Sequence, residues 1–229
     1  MTLVILYLTF YAIASKILKK EEGMVHTTFE RLPDEKKERI LQAARTEFVH
    51  YPYEKTSINR ILADAGVPKG SFYQYFDDKS DLFGLCISDV YKQLIEIRRR
   101  NGESLLDAGM LRMKRLGFEK GYQLFSEDLS RYLSQEDFQL FENMLAAPQH
   151  IRSYVQTEAA STLIAPIFKE ELKKDNNIRT DIDYDYYSYL LSLTEVIPVN
   201  YAVARGKSMK DIFFLSYQYM RSIYDSILK

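Results

Sequence analysis

TSINRILADAGVPKGSFYQYFDDK, residues Thr56–Lys79, is the stretch whose reading decides the fold. Thr56 and Ser57 are helix N-cap residue types, and Ile58, Ile61, Leu62 and Ala65 follow as one apolar stripe at helical spacing. Gly66 suits the left-handed position that ends a helix in a tight turn. Pro68 suits the first turn of a second helix, where its missing N–H is not needed. In that second helix Phe72, Tyr75 and Phe76 fall on one side and are expected to face inward. Lys69, Ser71, Tyr73 and Gln74 are then left pointing away from the core. A short second helix carrying small, hydroxyl, amide and basic groups is what entry into the DNA major groove requires. The stretch is therefore expected to be a helix-turn-helix.

The pattern Thr56-Ser57-x3-Ile61-x3-Ala65-Gly66-Val67-x-Lys69-Gly70-x-Phe72-Tyr73-x-Tyr75-Phe76-x2-Lys79-x2-Leu82 resembles the signature of TetR-family (tetracycline-repressor-like) transcriptional regulators. An αα-corner in an unrelated helical protein would explain the apolar stripe, but not the Lys-Gly-x-Phe-Tyr-x-Tyr-Phe run. Pro68 departs from the serine often found there in the family. The resemblance implies that Tyr73, with Lys69, Gly70, Ser71 and Gln74, enters the groove or meets its phosphates. Thr56, Ser57 and Lys79 would hold the DNA backbone. It also implies a homodimer on double-stranded operator DNA and a small-molecule effector bound in the C-terminal domain.

Working outward, charge alone would not have suggested DNA. The 229-residue chain carries a net charge of −1, and residues 24–79 hold nine Lys/Arg against nine Asp/Glu. Affinity must then come from local placement of basic groups. Cys86 is the only cysteine, which excludes an intrachain disulfide and suits a reducing cytoplasm. His26, His50 and His150 lie too far apart to suggest a metal site, and no phosphate loop, HExxH or GxSxG is present. No enzyme activity, metal or cofactor is expected.

Upstream, residues 1–23 form an apolar extension before a helix-turn-helix domain over 24–80. Its first part, MTLVILYLTFYAIASKIL, supports three readings. A membrane segment would be short of the roughly 20 residues that span a bilayer. A signal peptide would lack its positive n-region, although Ala12-Ile13-Ala14 resembles a cleavage site. The third is that translation begins at Met24. A short anchor followed by Lys16, Lys19 and Lys20 would still leave the rest cytoplasmic. Within the domain, Pro33-Asp34-Glu35 opens a first helix that ends near Tyr51-Pro52.

Downstream, a long helix opens at Asp77–Asp81 and leads into an all-α effector-binding and dimerisation domain over 81–229. Its expected spans are about Ser104–Leu116, Glu119–Ser126, Gln135–Ala146, Ile151–Lys174, Tyr184–Ala204 and Ser208–Leu228, giving about nine helices in all. Pro166 and Pro198 should kink two of them. The final helix has apolar rows on two sides, Ile212-Leu215-Tyr219-Ile223-Ile227 and Phe213-Tyr217-Met220-Tyr224-Leu228. A symmetric partner docked on the last two helices would account for both rows. Glu195, set in an apolar run, and the tyrosines Tyr187 and Tyr201 are candidate effector contacts. The expected function is a dimeric transcriptional regulator, a repressor released from its operator by a small molecule. The competing expectation is a helical binding module or enzyme with no DNA role.

Overall fold

A computed structural model of the chain describes residues 26–100, 104, 106, 111–194 and 196–229. The apolar opening, the start expected at Met24 and the effector candidate Glu195 lie outside the described residues.

The first described turn, α1 (Thr27–Glu30), buries Phe29 against the rings of Tyr75 and Phe76, with centroids 6.0 and 4.9 Å away. Pro33 stands at the N-cap of α2 (Asp34–His50), whose first turn holds Asp34 and Glu35 at the positive end of the helix dipole. Its inner face buries Ile40, Ala44 and Phe48. Ser57 caps α3 (Ile58–Asp64) by accepting the Arg60 N–H at 3.4 Å. The helix closes in a Schellman turn. Val67 N–H returns to Leu62 O at 2.8 Å and Gly66 N–H to Ala63 O at 3.1 Å. Gly66 takes φ +65°, the left-handed conformation that disfavours any side chain. Pro68 stands one position earlier than expected, as the extended N-cap of a 3-10 turn over Lys69–Ser71. That turn leads into α4 (Phe72–Tyr75) and, after a bend, into the long α5 (Lys79–Arg100).

The second half continues as α6 (Arg112–Leu116), α7 (Phe118–Tyr132), α8 (Gln135–Ala146) and α9 (Gln149–Ala159). It ends with α10 (Ala165–Lys174), α11 (Tyr184–Leu193), α12 (Ile197–Val203) and α13 (Met209–Asp225). The described residues are all-α, apart from one isolated antiparallel bridge between Ile178 and Leu228. None of their helices is long and apolar enough to cross a membrane.

Both prolines act more strongly than a kink. Before Pro166 the chain widens into a π turn, Ala160–Ile164, in which Ala165 N–H returns to Ala160 O five residues back. Proline has no N–H to continue the ladder, and its ring clashes with the carbonyl four residues earlier in an α-helix. At Pro198 the expected helix over 184–204 breaks into α11 and α12, with the proline in the first turn of the second. The two expected rows of α13 are also redistributed. The helix buries Ile212, Met220 and Tyr224, and Ile227 is buried just beyond its end, so members of both rows face inward while Phe214 and Tyr219 stay exposed.

Packing forms two main apolar cores. One gathers Phe48, Ile61, Phe72, Phe76, Phe83 and Ile87 with Leu140, Met144 and Val155. The other gathers Ile95, Phe168, Leu172, Leu191, Met220 and Ile227. Cys86 is buried in the first, where loss of hydration pushes its thiol up to about 12, so it packs as an inert apolar group.

Candidate nucleic-acid interface

The outward side of α4 and its preceding turn is built from below. Phe72, Tyr75 and Phe76 are buried and fix the helix from one side, and Lys36 Nζ donates to the Tyr75 hydroxyl at 3.2 Å. Tyr73 is thereby pushed outward and is 70% exposed, its ring edge-on to Phe72 at 5.2 Å. Lys69, Gly70 and Gln74 are exposed beside it, and Ser71 is half-buried. A Cβ added at Gly70 would meet nothing within 4 Å, so internal packing does not demand glycine there.

The three residues expected to hold a DNA backbone are engaged inside the protein. Thr56 is buried, and its hydroxyl donates to Tyr53 O at 2.6 Å. Ser57 donates its N–H to Glu47 Oε1 at 2.7 Å while its Oγ caps α3. Lys79 Nζ donates to the carbonyls of Tyr53 at 2.6 Å and Thr56 at 3.2 Å, and stands 4.3 Å from the Tyr53 ring centroid. Partial burial lowers its pKa. The ammonium fastens the start of α5 to the segment that leads into α3. The reason is simple: two loop carbonyls, those of Tyr53 and Thr56, need donors, and the nearest hydroxyl and ammonium supply them.

Sequence reasoning missed the anchor of this frame. Glu47 is only 5% exposed and accepts from Arg60 Nε at 3.0 Å on each carboxylate oxygen, from Arg60 Nη2 and from the Ser57 N–H. Arg60 also donates to Lys55 O at 2.9 Å and stacks over Tyr51 at 4.6 Å. Burial pushes the Glu47 carboxyl upward, but the Arg60 and Ser57 bonds outweigh it and hold the group below its ordinary value. The available signal was a carboxylate at Glu47 on the same helix stripe as Ala43, Ala44 and Phe48.

Two of the three effector candidates are described, and they have different surroundings. Tyr187 on α11 is half-buried against the second core, with the Tyr186 ring 5.3 Å away. Tyr201 on α12 is 49% exposed and carries the Arg205 guanidinium 4.0 Å over its ring. An open groove along α7, lined by Glu119, Tyr122, Gln123, Arg131 and Lys210 among others, contains neither.

Comparison with known proteins agrees with the geometry of the first domain. Residues 40–86 match the family of bacterial regulatory proteins, tetR family. The transcriptional regulator AcuR of Cereibacter sphaeroides is 32% identical over 77 residues, 34% of each chain. The transcriptional repressor AcnR of Corynebacterium glutamicum is 28% identical over 79 residues, 34% of this chain and 42% of its own. The similarity thus spans about a third of the length of the first of these relatives. A TetR family regulator from Chloroflexus aurantiacus aligns with 90% of this chain and all of its own at 22% identity, with a TM-score of 0.41. Both of these relatives are named as transcriptional regulators. Residues 40–86, which hold the helix-turn-helix, are thus similar to the tetR family of bacterial regulatory proteins.

Proposed function

We propose that the chain is a two-fold dimeric repressor that reads operator DNA through α4 and leaves it when a small molecule binds the C-terminal half. The observation that carries the DNA-reading role is Tyr73, exposed on a four-residue helix whose other aromatic side chains are buried. Exposing a large ring costs hydrophobic free energy that an internal position would gain, so an outside partner is its natural use. The Gln74 amide can pair in a bidentate manner with adenine, and Lys69 can reach a guanine edge or a phosphate. Gly70 would let DNA approach the backbone closely. Thr56, Ser57 and Lys79 hold the reading helix at a fixed angle, with the remaining donor capacity of Lys79 directed at a phosphate. Such a role belongs in the cytoplasm.

A dimer is supported by the exposed apolar side chains Tyr186, Ile197, Tyr201, Phe214 and Tyr219, all on α11–α13. One helix-turn-helix makes few base contacts, so two copies on half-sites roughly 34–36 Å apart supply the specificity. The repressor sign follows AcnR, a relative named for repression. Glu195, Tyr187 and Tyr201 remain the proposed effector contacts.

The test is a mobility-shift titration with the DNA upstream of the chain's own gene. The full chain should retard it as a dimer and Tyr73→Ala should not, with unchanged circular dichroism. Lys69→Ala should flatten the salt dependence by about one unit if it meets a phosphate. Equal retardation by wild type and Tyr73→Ala would refute the assignment of α4. In sedimentation, Tyr219→Glu should yield a folded monomer; a persisting dimer would move the seam elsewhere.

A further inference from the structure

The apolar core under the reading helix does not stop at the end of the helix-turn-helix. Leu140 and Met144 of α8 and Val155 of α9 are buried in the same cluster as Phe48, Phe72 and Phe76. Polar contacts follow the same boundary. Asp137, 3% exposed, closes the N-terminus of α8 through Ser134, pairs with Arg45 of α2 and accepts from Gln93 of α5 at 3.4 Å. Asn143 of α8 donates to Phe48 O at 2.7 Å and Val49 O at 3.1 Å, satisfying carbonyls at the end of α2. Tyr154 of α9 donates to Asp81 at 2.6 Å, the carboxylate that also accepts the N–H groups of Asp77 and Asp78 at the start of α5.

Beyond α9 the packing changes partner. Ile164, Phe168 and Leu172 belong to the second core, with Leu191, Met220 and Ile227. The changeover coincides with the π turn. There the ladder steps back five residues, and the Ser161 and Thr162 hydroxyls take the Glu158 carbonyl at 3.1 and 2.7 Å. Single π turns inside α-helices are rare and recur at functional sites. On α5 the changeover falls at Tyr91, which packs against both cores, just before Ile95. Arg152 bridges the two sides, donating to the carbonyls of Leu145 and Ala147 at 2.8 and 2.9 Å and to Asn200 of α12 at 2.8 Å.

We infer that the reading head is one mechanical body that includes α8 and α9 along with residues 26–80, and that its hinge to α10–α13 is the π turn Ala160–Ile164. A rotation of α10–α13 then reaches α4 through α9 and α8 as a lever. It does not need to deform a joint at residue 80. The inference stands on core membership and the shared polar contacts, whether or not the chain reads DNA.

Native-state hydrogen exchange of the full chain tests it, comparing wild type, Asp137→Ala and Leu172→Ala by peptide. Asp137→Ala should lower protection by a common factor, roughly tenfold or more, in α2, α3, α8 and α9, as expected when a buried paired group is lost. Protection in α10 and α11 should stay put. Leu172→Ala should do the reverse. In every variant, amides of residues 160–165 should exchange faster than those of α9 on one side and of α10 beyond Pro166 on the other. Asn143→Ala, a milder cut of the same boundary, should repeat the Asp137 pattern if that variant does not fold. The inference is overturned by an effect confined to α8, by an equal loss across the whole chain, or by protection at 160–165 equal to its flanks.

Discussion

Helices α3 and α4 come from one stretch of 24 residues, yet the protein treats them in opposite ways. Around α3, the cap, turn and side chains are engaged: Ser57 caps it, Gly66 closes it, and Arg60 ties it to Glu47 and Lys55. On α4 and its lead-in turn, only the buried aromatic side is held, and Lys69, Tyr73 and Gln74 face outward. Internal bonding and outward exposure are thus divided between two neighbouring helices. A helix that leaves its outward donors free cannot also use them to hold itself, so its position has to be fixed from behind and by its neighbour.

Four substitutions to alanine probe that division, in falling order of their effect on stability, and Glu47→Gln and Lys79→Ala sharpen it. Phe76→Ala should cost about 3–5 kcal/mol by opening a cavity beneath α4. Thermal denaturation followed by circular dichroism reads this directly, and a loss under 1 kcal/mol would mean that α4 is not fixed from behind. Glu47→Ala should cost about 1–3 kcal/mol, because the half-buried Ser57 N–H loses its acceptor. Here DNA affinity should fall only as far as the unfolded fraction rises, which separates a frame residue from a contact.

The same carboxylate gives the pH dependence a sign. Glu47 and Asp137 are both held below their ordinary values in the folded chain. Their contribution is therefore present above the unfolded carboxylate range, about 4, and is lost as pH falls through the lower folded values. Acid titration of stability should steepen there, and Glu47→Gln should remove part of the slope. An unchanged slope would show that the carboxylate is not held as described.

Gly66→Ala should cost about 1–2 kcal/mol even though a methyl there meets no atom, because φ +65° is itself unfavourable for a side chain. Tyr73→Ala should change stability by less than about 0.5 kcal/mol while abolishing the retarded DNA complex. A destabilised Tyr73→Ala would collapse the contrast between the two helices. Lys79→Ala sharpens it from the other side. If Lys79 only ties loop carbonyls, stability falls and the salt slope of DNA binding stays fixed; a slope smaller by about one adds a phosphate contact.

Much of this architecture was legible from residue order. Spacing alone marked Ile61, Leu62 and Ala65 as the buried side of α3, Phe72, Tyr75 and Phe76 as that of α4, and Gly66 as the turn. Each is a local property: an apolar period of 3.6, a cap or a left-handed glycine involves residues within one or two turns of each other. Spacing likewise left Lys69, Tyr73 and Gln74 outside, where the structure also has them. The expected span of about Gln135–Ala146 coincides with α8, whose start is set locally by the capping box of Ser134 and Asp137.

The sequence by itself determined that the described residues are helical, where the helix-turn-helix lies and which side chains of α4 face outward. Only the tertiary structure decided that Glu47 would receive Arg60, that Thr56 and Lys79 would serve loop carbonyls, and that Asp137 would grip Arg45 92 residues away. It also decided that Pro166 would widen a helix into a π turn and Pro198 would break one. The reason is the range of the forces involved. Helical periodicity is written in neighbours, whereas burial sets which distant donors and acceptors must meet, because a polar group taken out of water has to be satisfied by whatever the fold places beside it.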